Sequence, residues 1–272
     1  MSGLVGLLLA FCLINKMMIV PGSAFIPKAV SGDGCGDPLT DSNWASVELL
    51  CWCNGADDGT TFTDETGNYL TLSNPSNHVT TQSSNKKFGS ASAEFPGEVA
   101  QALIAGVVGD FDFLSDGTTD YTAEMWFRTS SDKVVLFATC SGASNERGVF
   151  FHVITTVGLG LHIYNGTGVA NIVLETSHNV SDGNWHHIVF QYDSSETDKY
   201  QIFVDGALIV AGNGTGIYQA ASHSYELHMG RAPTNINYSK VCSMDDIRIT
   251  KGIARYPVSG FTPPCRQFPN TD

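Results

Sequence analysis

Paired carboxylates are the first chemistry to look for, because 27 Asp and Glu residues outnumber 14 Lys and Arg residues. A retaining glycosidase needs two carboxylates about 5–5.5 Å apart across the sugar. On a strand, Glu-X-Asp-X-X-Glu would supply them, and this pattern is missing from the sequence. Glu124 stands alone in its segment, while Asp245 and Asp246 would point to opposite faces of a strand. A Gly-X-Ser-X-Gly nucleophile elbow is also missing, so we predict that the chain is not an enzyme.

Structural roles better explain the isolated ionisable residues on predicted strands. Glu124 is expected to bond to a neighbouring strand or loop, and Asp246 is expected to pair with Arg248 or Arg255. The neighbours of His186 and His187 on their strand are predicted core residues, so one imidazole has to face the interior or a second layer. Metal binding by this pair would need further ligands from distant loops. We therefore interpret both histidines as structural.

Calcium is the metal that suits acidic turns, because it takes oxygen ligands in a flexible shell. Asp57, Asp58 and Asp64 cluster around one turn and are the candidate calcium ligands. A second acidic cluster, which precedes the Glu124 segment, comprises Asp110, Asp112, Asp116 and Asp120. Neither spacing matches a defined calcium loop, so solvated turns are the alternative. Ca²⁺ is the one cofactor that the sequence suggests.

A carbohydrate ligand would need exposed aromatic rings together with amide or carboxylate acceptors on loops. The candidate ligand-binding residues are Tyr164, Asn165, Tyr218 and Asn237. Isolated aromatic residues are also common in loops that bind nothing. Four N-glycosylation motifs would carry glycans in a eukaryotic secretory context and would mean nothing in a bacterial virus. They begin at Asn165, Asn179, Asn213 and Asn237.

The cysteines lead to two hypotheses about disulfides. Seven are present, at Cys12, Cys35, Cys51, Cys53, Cys140, Cys242 and Cys265, so at least one is unpaired within a monomer. Cys51 and Cys53 are two residues apart on a predicted strand, which disfavours a bond between them, and we interpret both as small buried side chains. Cys35 and Cys265 flank the predicted domain and are candidates for a disulfide that joins its ends. No Cys/His spacing predicts a zinc site.

Charge and composition exclude several classes of partner. The formal net charge of −13 argues against nucleic acid, which requires a basic surface, and against adhesion to anionic lipid. The 272 residues are 42% hydrophobic, which is enough for a sizeable core. No long amphipathic helical pattern occurs beyond the N-terminus, so we predict an all-β protein with one large domain.

Short alternating segments predict the strands that would position these residues. Ser181–Leu208, SDGNWHHIVFQYDSSETDKYQIFVDGAL, places two strands around a polar loop and then turns at Asp-Gly, which predicts antiparallel pairing. Tyr121–Arg128 and Lys86–Phe95 alternate in the same way. Further short runs, several of them spaced by about 8–14 residues, are typical of a sandwich. These runs are Lys133–Thr139, Gly148–Thr155, Leu159–Tyr164, Ala170–Glu175, Glu226–Gly230 and Val241–Tyr256.

Several of these segments resemble landmarks of laminin-G-like domains in the concanavalin A-like lectin and glucanase superfamily. They are Trp-His-His-Ile-Val with Val-Asp-Gly in Ser181–Leu208, KKFGSASAEF, YTAEMWFR, and the closing VCSMDDIRITKGIARY followed by FTPP. The resemblance covers about residues 43–266 and implies an antiparallel β-sandwich jelly roll. The Ala-Arg-Tyr ending is similar to members encoded by phages and viruses. Trp52–Asn54 departs from the usual His-Phe-Asp, which puts an Asp ligand there in doubt.

The N-terminal segment, residues 1–24, has three interpretations. Its apolar run Leu4–Ile14 has the length of a signal-peptide core, and Gly22–Ala24 suits cleavage. However, no basic residue precedes the run, and Lys16 follows it closely. The alternatives are an apolar arm that docks in an assembly and a short membrane anchor. Residues 25–42 are interpreted as a connector, residues 43–266 as the domain and residues 267–272 as a tail.

We predict a non-catalytic structural and adhesion protein of a virion, such as a capsid decoration or fibre component. Its N-terminal arm would contact other virion or assembly subunits, and its lectin-like sandwich would face outward toward host-surface carbohydrate. The alternative is a secreted or cell-surface carbohydrate-binding, lectin-like protein, with or without a dependence on calcium. The fold does not decide between the virion and the extracellular location, because such sandwiches carry binding, catalytic and structural functions alike.

Overall fold

A computed structural model describes the chain from residue 39 onward, with five short gaps. The described residues are 39–97, 101–143, 145–154, 158–166, 170–213 and 222–272. The N-terminal segment 1–24, most of the connector, Cys12, Cys35 and Tyr218 lie outside them, so the hypotheses made there stay predictions. No helix within these ranges combines the length and the apolar character that crossing a membrane requires.

The described part of the chain contains sixteen strands and five short 3₁₀ helices. The first eight strands are β1 (Val47–Cys51), β2 (Phe62–Thr63), β3 (Thr71–Leu72), β4 (Thr80–Gln82), β5 (Ser92–Pro96), β6 (Leu103–Ala105), β7 (Tyr121–Arg128) and β8 (Val135–Ala138). The others are β9 (Arg147–Val153), β10 (Leu159–Asn165), β11 (Ala170–Glu175), β12 (Trp185–Tyr192), β13 (Tyr200–Val204), β14 (Ala207–Gly212), β15 (Leu227–Met229) and β16 (Val241–Lys251). The 3₁₀ helices are Trp44–Ser46, Pro75–Asn77, Ser83–Asn85, Asp112–Leu114 and Ile236–Tyr238.

Two antiparallel sheets form the sandwich that the sequence predicts. The larger sheet has eight strands in the order β14-β13-β12-β7-β16-β5-β4, and β1 pairs with the second half of β16. The smaller sheet has six strands in the order β11-β10-β9-β8-β15-β6, and β2 pairs separately with β3. Phe151 of the smaller sheet stacks on Phe190 of the larger one, with ring centroids 4.5 Å apart. The shared core therefore lies between the inner faces of the two sheets.

The predicted alternation is confirmed on the central strands of the larger sheet. On β7, Met125 and Phe127 belong to the shared core, whereas Glu124 and Trp126 face away from it. Strands β12 and β13 pair across their polar loop, and Asp205–Gly206 turns the chain into β14, as predicted. Period-two side-chain placement thus gives the larger sheet a second, outward surface that is rich in polar groups.

The segment Lys86–Phe95 differs from its prediction as a continuous strand, because β5 begins at Ser92. Before that point, the backbone N–H groups of Lys87 and Phe88 donate to the carboxylate of Asp245, at 2.8 and 3.0 Å. A side-chain acceptor therefore replaces the neighbouring strand as hydrogen-bond partner. The first half of the segment lies against the outward surface of the larger sheet instead of extending β5.

The cysteines divide into free thiols and one bonded residue in the described chain. Cys51, Cys53, Cys140 and Cys242 are free and buried, which confirms the interpretation of the first two as small core side chains. The sulfur atoms of Cys51 and Cys53 lie 3.7 Å apart. Cys265 is disulfide-bonded, and Cys35, its proposed partner, lies outside the described residues.

Candidate functional site

The C-terminal cover, residues 252–272, lies on the outer face of the larger sheet, which is the surface turned away from the shared core. The rings of Tyr256 and Phe261 stack with centroids 3.6 Å apart. Both rings contact His187 on β12, and Phe268 contacts it from a third side. Phe268 also packs with Leu50 in a small apolar cluster. The cover therefore gives this face a hydrophobic core of its own.

A buried ionic network lies beneath the cover and consists of Glu124, Arg248, Asp41, Arg255 and Tyr256. Arg248 donates to Glu124 through Nε and Nη2, at 2.9 and 2.7 Å, and to Asp41 through Nη1, at 3.1 Å. Arg255 donates to both oxygens of Asp41, at 3.0 and 2.8 Å. The hydroxyl of Tyr256 donates to Glu124 at 2.6 Å. Because Asp41 precedes β1 and Arg255 follows β16, the network ties both flanks of the sandwich to β7.

The network keeps Glu124 and Arg248 charged although both are buried. Burial alone would raise the pKa of Glu124, but Arg248 and His187, whose Nε2 lies 3.2 Å from the carboxylate, hold that pKa well below its ordinary value. Burial would lower the pKa of Arg248, and the Glu124 carboxylate raises it instead. Glu124 is therefore the structural carboxylate that the sequence predicts, bonded to the neighbouring strand.

The adjacent histidines both have structural partners, as predicted. His187 lies under the cover beside Glu124. His186 is half-buried at the end of the sheet, where its Nδ1 lies 2.7 Å from Asp205 and its Nε2 lies 3.1 Å from Asp182. The hydrogen bond with Asp205 is the main reason that the pKa of His186 is raised. His186 therefore bridges Asp182 in the turn before β12 and Asp205 in the turn after β13.

Asp245 and Asp246 both bond to segments on the outer face, whereas simple alternation predicts opposite faces. Asp246 has a φ of +52°, and the register between β16 and β7 shifts at this point, so β16 bulges. Asp246 accepts a hydrogen bond from the N–H of Phe268 at 2.9 Å, while Asp245 holds residues 87–88. The predicted pairing of Asp246 with Arg248 or Arg255 is wrong, because the carboxylates of the network bind both guanidinium groups.

The buried carboxyl of Asp245 makes stability depend on pH. Burial raises the pKa of Asp245 to about 7. An unfolded Asp ionises near pH ~3.9, so the stabilisation by the neutral carboxyl is complete below that pH and is lost as the pH rises to about 7. Because Asn does not ionise, Asp245→Asn avoids this loss. Its free energy of unfolding relative to that of wild type is expected to rise by about 2–4 kcal/mol when the pH increases from about 4 to about 8. Urea unfolding of both proteins at the two pH values measures this gain.

The control is Asp198→Asn, because Asp198 is exposed in the loop between β12 and β13. Its difference from wild type in the free energy of unfolding is expected to be the same at both pH values. A difference between Asp245→Asn and wild type that is equally independent of pH would contradict the role of the buried carboxyl.

One end of the outer face is open and carries a groove of about 440 Å³. Antiparallel register places one side chain from each of five strands in a single row across this end. The row is Trp185 on β12, Arg128 on β7, Ser243 on β16, Glu94 on β5 and Thr80 on β4. Neighbouring strands are about 4.8 Å apart, so the row extends over about 19 Å. Its central members line the groove together with Ser84, Asn85, Thr129 and Ser130.

The polar groups of the groove are held in place by one another. The amide of Asn85 donates to Oε1 of Glu94 and to Oγ of Ser243, at 2.7 Å in both cases. Burial raises the pKa of Glu94. Arg128 donates through Nε to the carbonyl of Gly183 at 2.6 Å, and its side chain makes no other hydrogen bond or ion pair with the described residues. The groove thus presents a carboxyl, an amide, hydroxyls and the free end of a guanidinium.

Two tryptophans lie on the same face beside the groove. Trp126 is one row deeper than Arg128 on β7 and is only 5% exposed. The Nζ of Lys87 lies 3.7 Å from the centroid of a Trp126 ring, and Phe88 packs edge-on against that side chain. Trp185, at the end of the row, is half-buried and keeps part of its surface open to solvent. Trp185 is therefore the candidate aromatic contact for a ligand that extends from the groove along the row.

Of the sequence-predicted ligand residues, Tyr164 and Asn165 lie on β10 of the smaller sheet. Tyr164 near the end of β10 packs with Tyr238 against one small apolar cluster on the outward surface of that sheet. Asn165 ends β10, and Asn237 is exposed immediately before Tyr238. The structure thus brings Tyr164 close to the turn that carries Asn237, while Tyr218 lies outside the described residues. Sugar binding at this second surface stays a prediction.

The three candidate calcium ligands bond to protein donors. Asp64 is 2% exposed and accepts hydrogen bonds from three backbone N–H groups and one hydroxyl. Asp57 accepts two from Ser83, and Asp58 accepts one from Gln82. In the second cluster, loop N–H groups donate to Asp110, Asp112, Asp116 and Asp120. Within the described ranges, no three His, Cys, Asp or Glu side chains are grouped to hold a metal ion, and calcium binding stays a prediction.

Sequence reasoning missed the groove because its residues come from three strands and from segments between strands that are far apart in the chain. Arg128 and Trp185 were recognised only as members of strand patterns, and Glu94 and Ser243 lie in segments that matched landmarks of the fold. The alternation of β7 carried a usable signal, because it places Arg128 on the same outward face of that strand as Glu124. Strand order and register were needed to join that row to the others.

The comparisons with known proteins agree with this architecture. A family model described as the concanavalin A-like lectin/glucanases superfamily, Laminin_G_3, matches residues 105–253, which is more than half of the chain. No curated protein matches the chain. The binding domain of Paraclostridial Mosquitocidal Protein 1 is 13% identical with a TM-score of 0.59, covering 79% of this chain and 51% of that one.

Two structures of the binding domain of botulinum neurotoxin DC are also similar. The complex with rat synaptotagmin II is 12% identical with a TM-score of 0.51, covering 77% of this chain and 49% of that one. The complex with SialylT is 12% identical with a TM-score of 0.53, covering 77% of this chain and 48% of that one. The chain spans about half the length of these solved structures, and at such identities the likeness shows the fold alone. With its sandwich topology and the matched family model, the chain belongs to the Laminin_G_3 family of concanavalin A-like jelly rolls.

Proposed function

We propose that this chain is a non-catalytic carbohydrate-binding module that holds a glycan in the groove of the larger sheet. The observation that carries the proposal is the row across the open end of the outer face, formed by Trp185, Arg128, Ser243, Glu94 and Thr80. Arg128, Ser243 and Glu94 line the groove, and the register places Trp185 and Thr80 on the same face at the two ends of the row.

The chemistry of the row matches that of a sugar. A sugar ring has an apolar face, which suits the open surface of Trp185, and a rim of hydroxyl groups that both donate and accept hydrogen bonds. Glu94 accepts hydrogen bonds, Arg128 donates them, and Ser243 can do either. Asn85 already holds Glu94 and Ser243 in position, which reduces the entropy lost when a ligand binds.

Similar sandwiches that bind ligands support the proposal. The toxin domains that resemble this chain are binding domains, solved with SialylT in one case and with rat synaptotagmin II in another. The family itself is named for lectins and glucanases.

The absence of catalysis is part of the proposal. Its support is that the strand carboxylate Glu124 is committed to Arg248 and Tyr256. Glu94 is the carboxylate of the groove, and Ser243 lies between it and Arg128 in the row. The position across Ser243 is therefore occupied by a guanidinium and not by a second carboxylate. Hydrolysis of a β-glucan by the purified chain would overturn this part.

Replacing Trp185 by Ala is expected to weaken glycan binding by at least about tenfold, because the variant loses the aromatic surface at the end of the row. A glycan array identifies the best ligand, and calorimetry with that glycan gives the dissociation constants. Both measurements are repeated with calcium and with a chelator, which tests the calcium hypothesis. Thermal unfolding confirms that the variant is folded.

Tyr164→Ala is the matched control, because it removes a partly exposed aromatic side chain from the smaller sheet. Its glycan binding is expected to equal that of wild type. Loss of binding in Tyr164→Ala with no change in Trp185→Ala would move the ligand to the smaller sheet. A wild-type protein that binds no glycan would contradict the proposed function.

For the biological setting, we propose the surface of a virion, with the sandwich outward and residues 1–24 docked on other subunits. The support is the closing sequence Ala254–Tyr256 and the apolar character of residues 4–14. The alternative is a secreted or cell-surface protein cleaved after Ala24. Intact mass and N-terminal sequencing of the protein from its native source separate them. A chain that starts near Phe25 contradicts the arm, and one that keeps residue 1 or 2 supports it.

A further inference from the structure

The groove contains one guanidinium, that of Arg128, and its charge lowers the pKa of Glu94, which burial raises. Arg128 donates to the Gly183 carbonyl through Nε, and no carboxylate of the described residues lies within ion-pair distance of its guanidinium. Glu94 is the one carboxylate among the lining residues. Ser243 on β16 separates it from Arg128, so the two strands that carry the charges are roughly 9–10 Å apart.

The two ends of the groove therefore differ in charge. At the β7 end, Arg128 is half-buried and is the register partner of Trp185 on β12. Lys87, whose Nζ lies over Trp126 one row deeper, is a second cation on this side, and the carboxylates of Asp205 and Asp245 offset part of its charge. At the β5 end, the carboxyl of Glu94 offers acceptors and would repel an anion.

We infer that the groove selects acidic glycans and that Arg128 binds a carboxylate of the sugar. This inference rests on the proposed function and specifies the class of ligand. The planar guanidinium donates two parallel N–H groups, a geometry that matches a carboxylate, and such charge-assisted hydrogen bonds are stronger than neutral ones. The hydroxyls of the same glycan bond to Glu94, Asn85 and Ser243, and Trp185 packs against the ring that carries the carboxylate.

The test uses a glycan array with carboxylated, sulfated and neutral members, followed by calorimetry. The best ligands are expected to be carboxylated, and the methyl ester of the best one is expected to bind about 10- to 100-fold more weakly. Arg128→Gln is expected to lose affinity for the acid by a similar factor and to bind acid and ester equally. Binding of the acid is also expected to weaken with added salt, because one partner is partly exposed.

Two further variants separate this role from a structural one. Arg128→Lys keeps the charge without the planar fork and is expected to bind with intermediate affinity, which keeps the test valid if Arg128→Gln does not fold. Arg147→Gln removes an exposed arginine on the smaller sheet and is expected to change nothing. The methyl ester needs no protein variant, so the comparison does not depend on folding.

Three outcomes would overturn the inference in distinguishable ways. Equal binding of the acid and its ester by wild type would show a glycan site that does not recognise the carboxylate, and the proposed function would stand. A preference for sulfated over carboxylated glycans would assign a different anion to Arg128. No binding to any glycan would end both the inference and the proposed function.

Discussion

Glu124→Ala is expected to lower the free energy of unfolding by about 3–5 kcal/mol, because it leaves a buried guanidinium without its main partner. Glu124 has no solvent exposure and accepts hydrogen bonds from Arg248 and from Tyr256. The substitution would leave the buried Arg248 with Asp41 as its one ion-pair partner among the described residues. A buried charge that loses its partner keeps the desolvation cost without the compensating attraction.

Urea denaturation of wild type and variant measures this loss. Glu175→Ala is the control, since Glu175 also pairs with a neighbouring strand, through His162, but its side chain is 49% exposed. An exposed pair of this kind contributes less than about 1 kcal/mol. Glu124→Gln keeps the size of the side chain and removes the charge, so it is expected to lose most of the same stability. If Glu124→Gln were as stable as wild type, shape rather than charge would explain the site.

Gly206→Ala is the second substitution with a large expected effect, about 2–6 kcal/mol of lost stability. Gly206 has a φ of +82°, and a Cβ atom there would lie 1.9 Å from the backbone carbonyl oxygen of Phe261. The N–H of Phe261 also donates to the carbonyl of Gly206, at 2.9 Å. The variant therefore combines backbone strain in the turn with displacement of the C-terminal cover.

Thermal unfolding measures the stability, and limited trypsin digestion after Arg255 and Arg266 reports whether the cover is released. We expect faster cleavage at both sites in Gly206→Ala. Gly67→Ala is the matched control, because Gly67 has a φ of +77° and a Cβ atom there would meet nothing within 4 Å. It is expected to lose only the strain of about 1 kcal/mol and to be cleaved at the wild-type rate. Equal losses in the two variants would show that the close approach to Phe261 is unimportant.

Alternation in the sequence determined the strands of the larger sheet, and the resemblance of several segments to laminin-G-like domains indicated the kind of fold. Tyr121–Arg128 coincides with β7, and the pattern in Ser181–Leu208 predicted β12, β13 and the turn at Gly206. These features are local, because period-two spacing separates a core face from an outward face within one strand. The structural roles of Glu124 and of the two histidines were also predictable, since each stands among apolar neighbours and needs a partner.

Only the tertiary structure decided which residues meet across strands. Arg128, Ser243 and Glu94 form one row because β7, β16 and β5 are neighbours in a particular register, and the strand patterns do not specify that register. The left-handed backbone of Asp246 similarly brings two carboxylates to the outer face that alternation separates. Strand order and bulges depend on packing between distant parts of the chain. The sequence alone therefore determined the sandwich, whereas long-range pairing decided its groove.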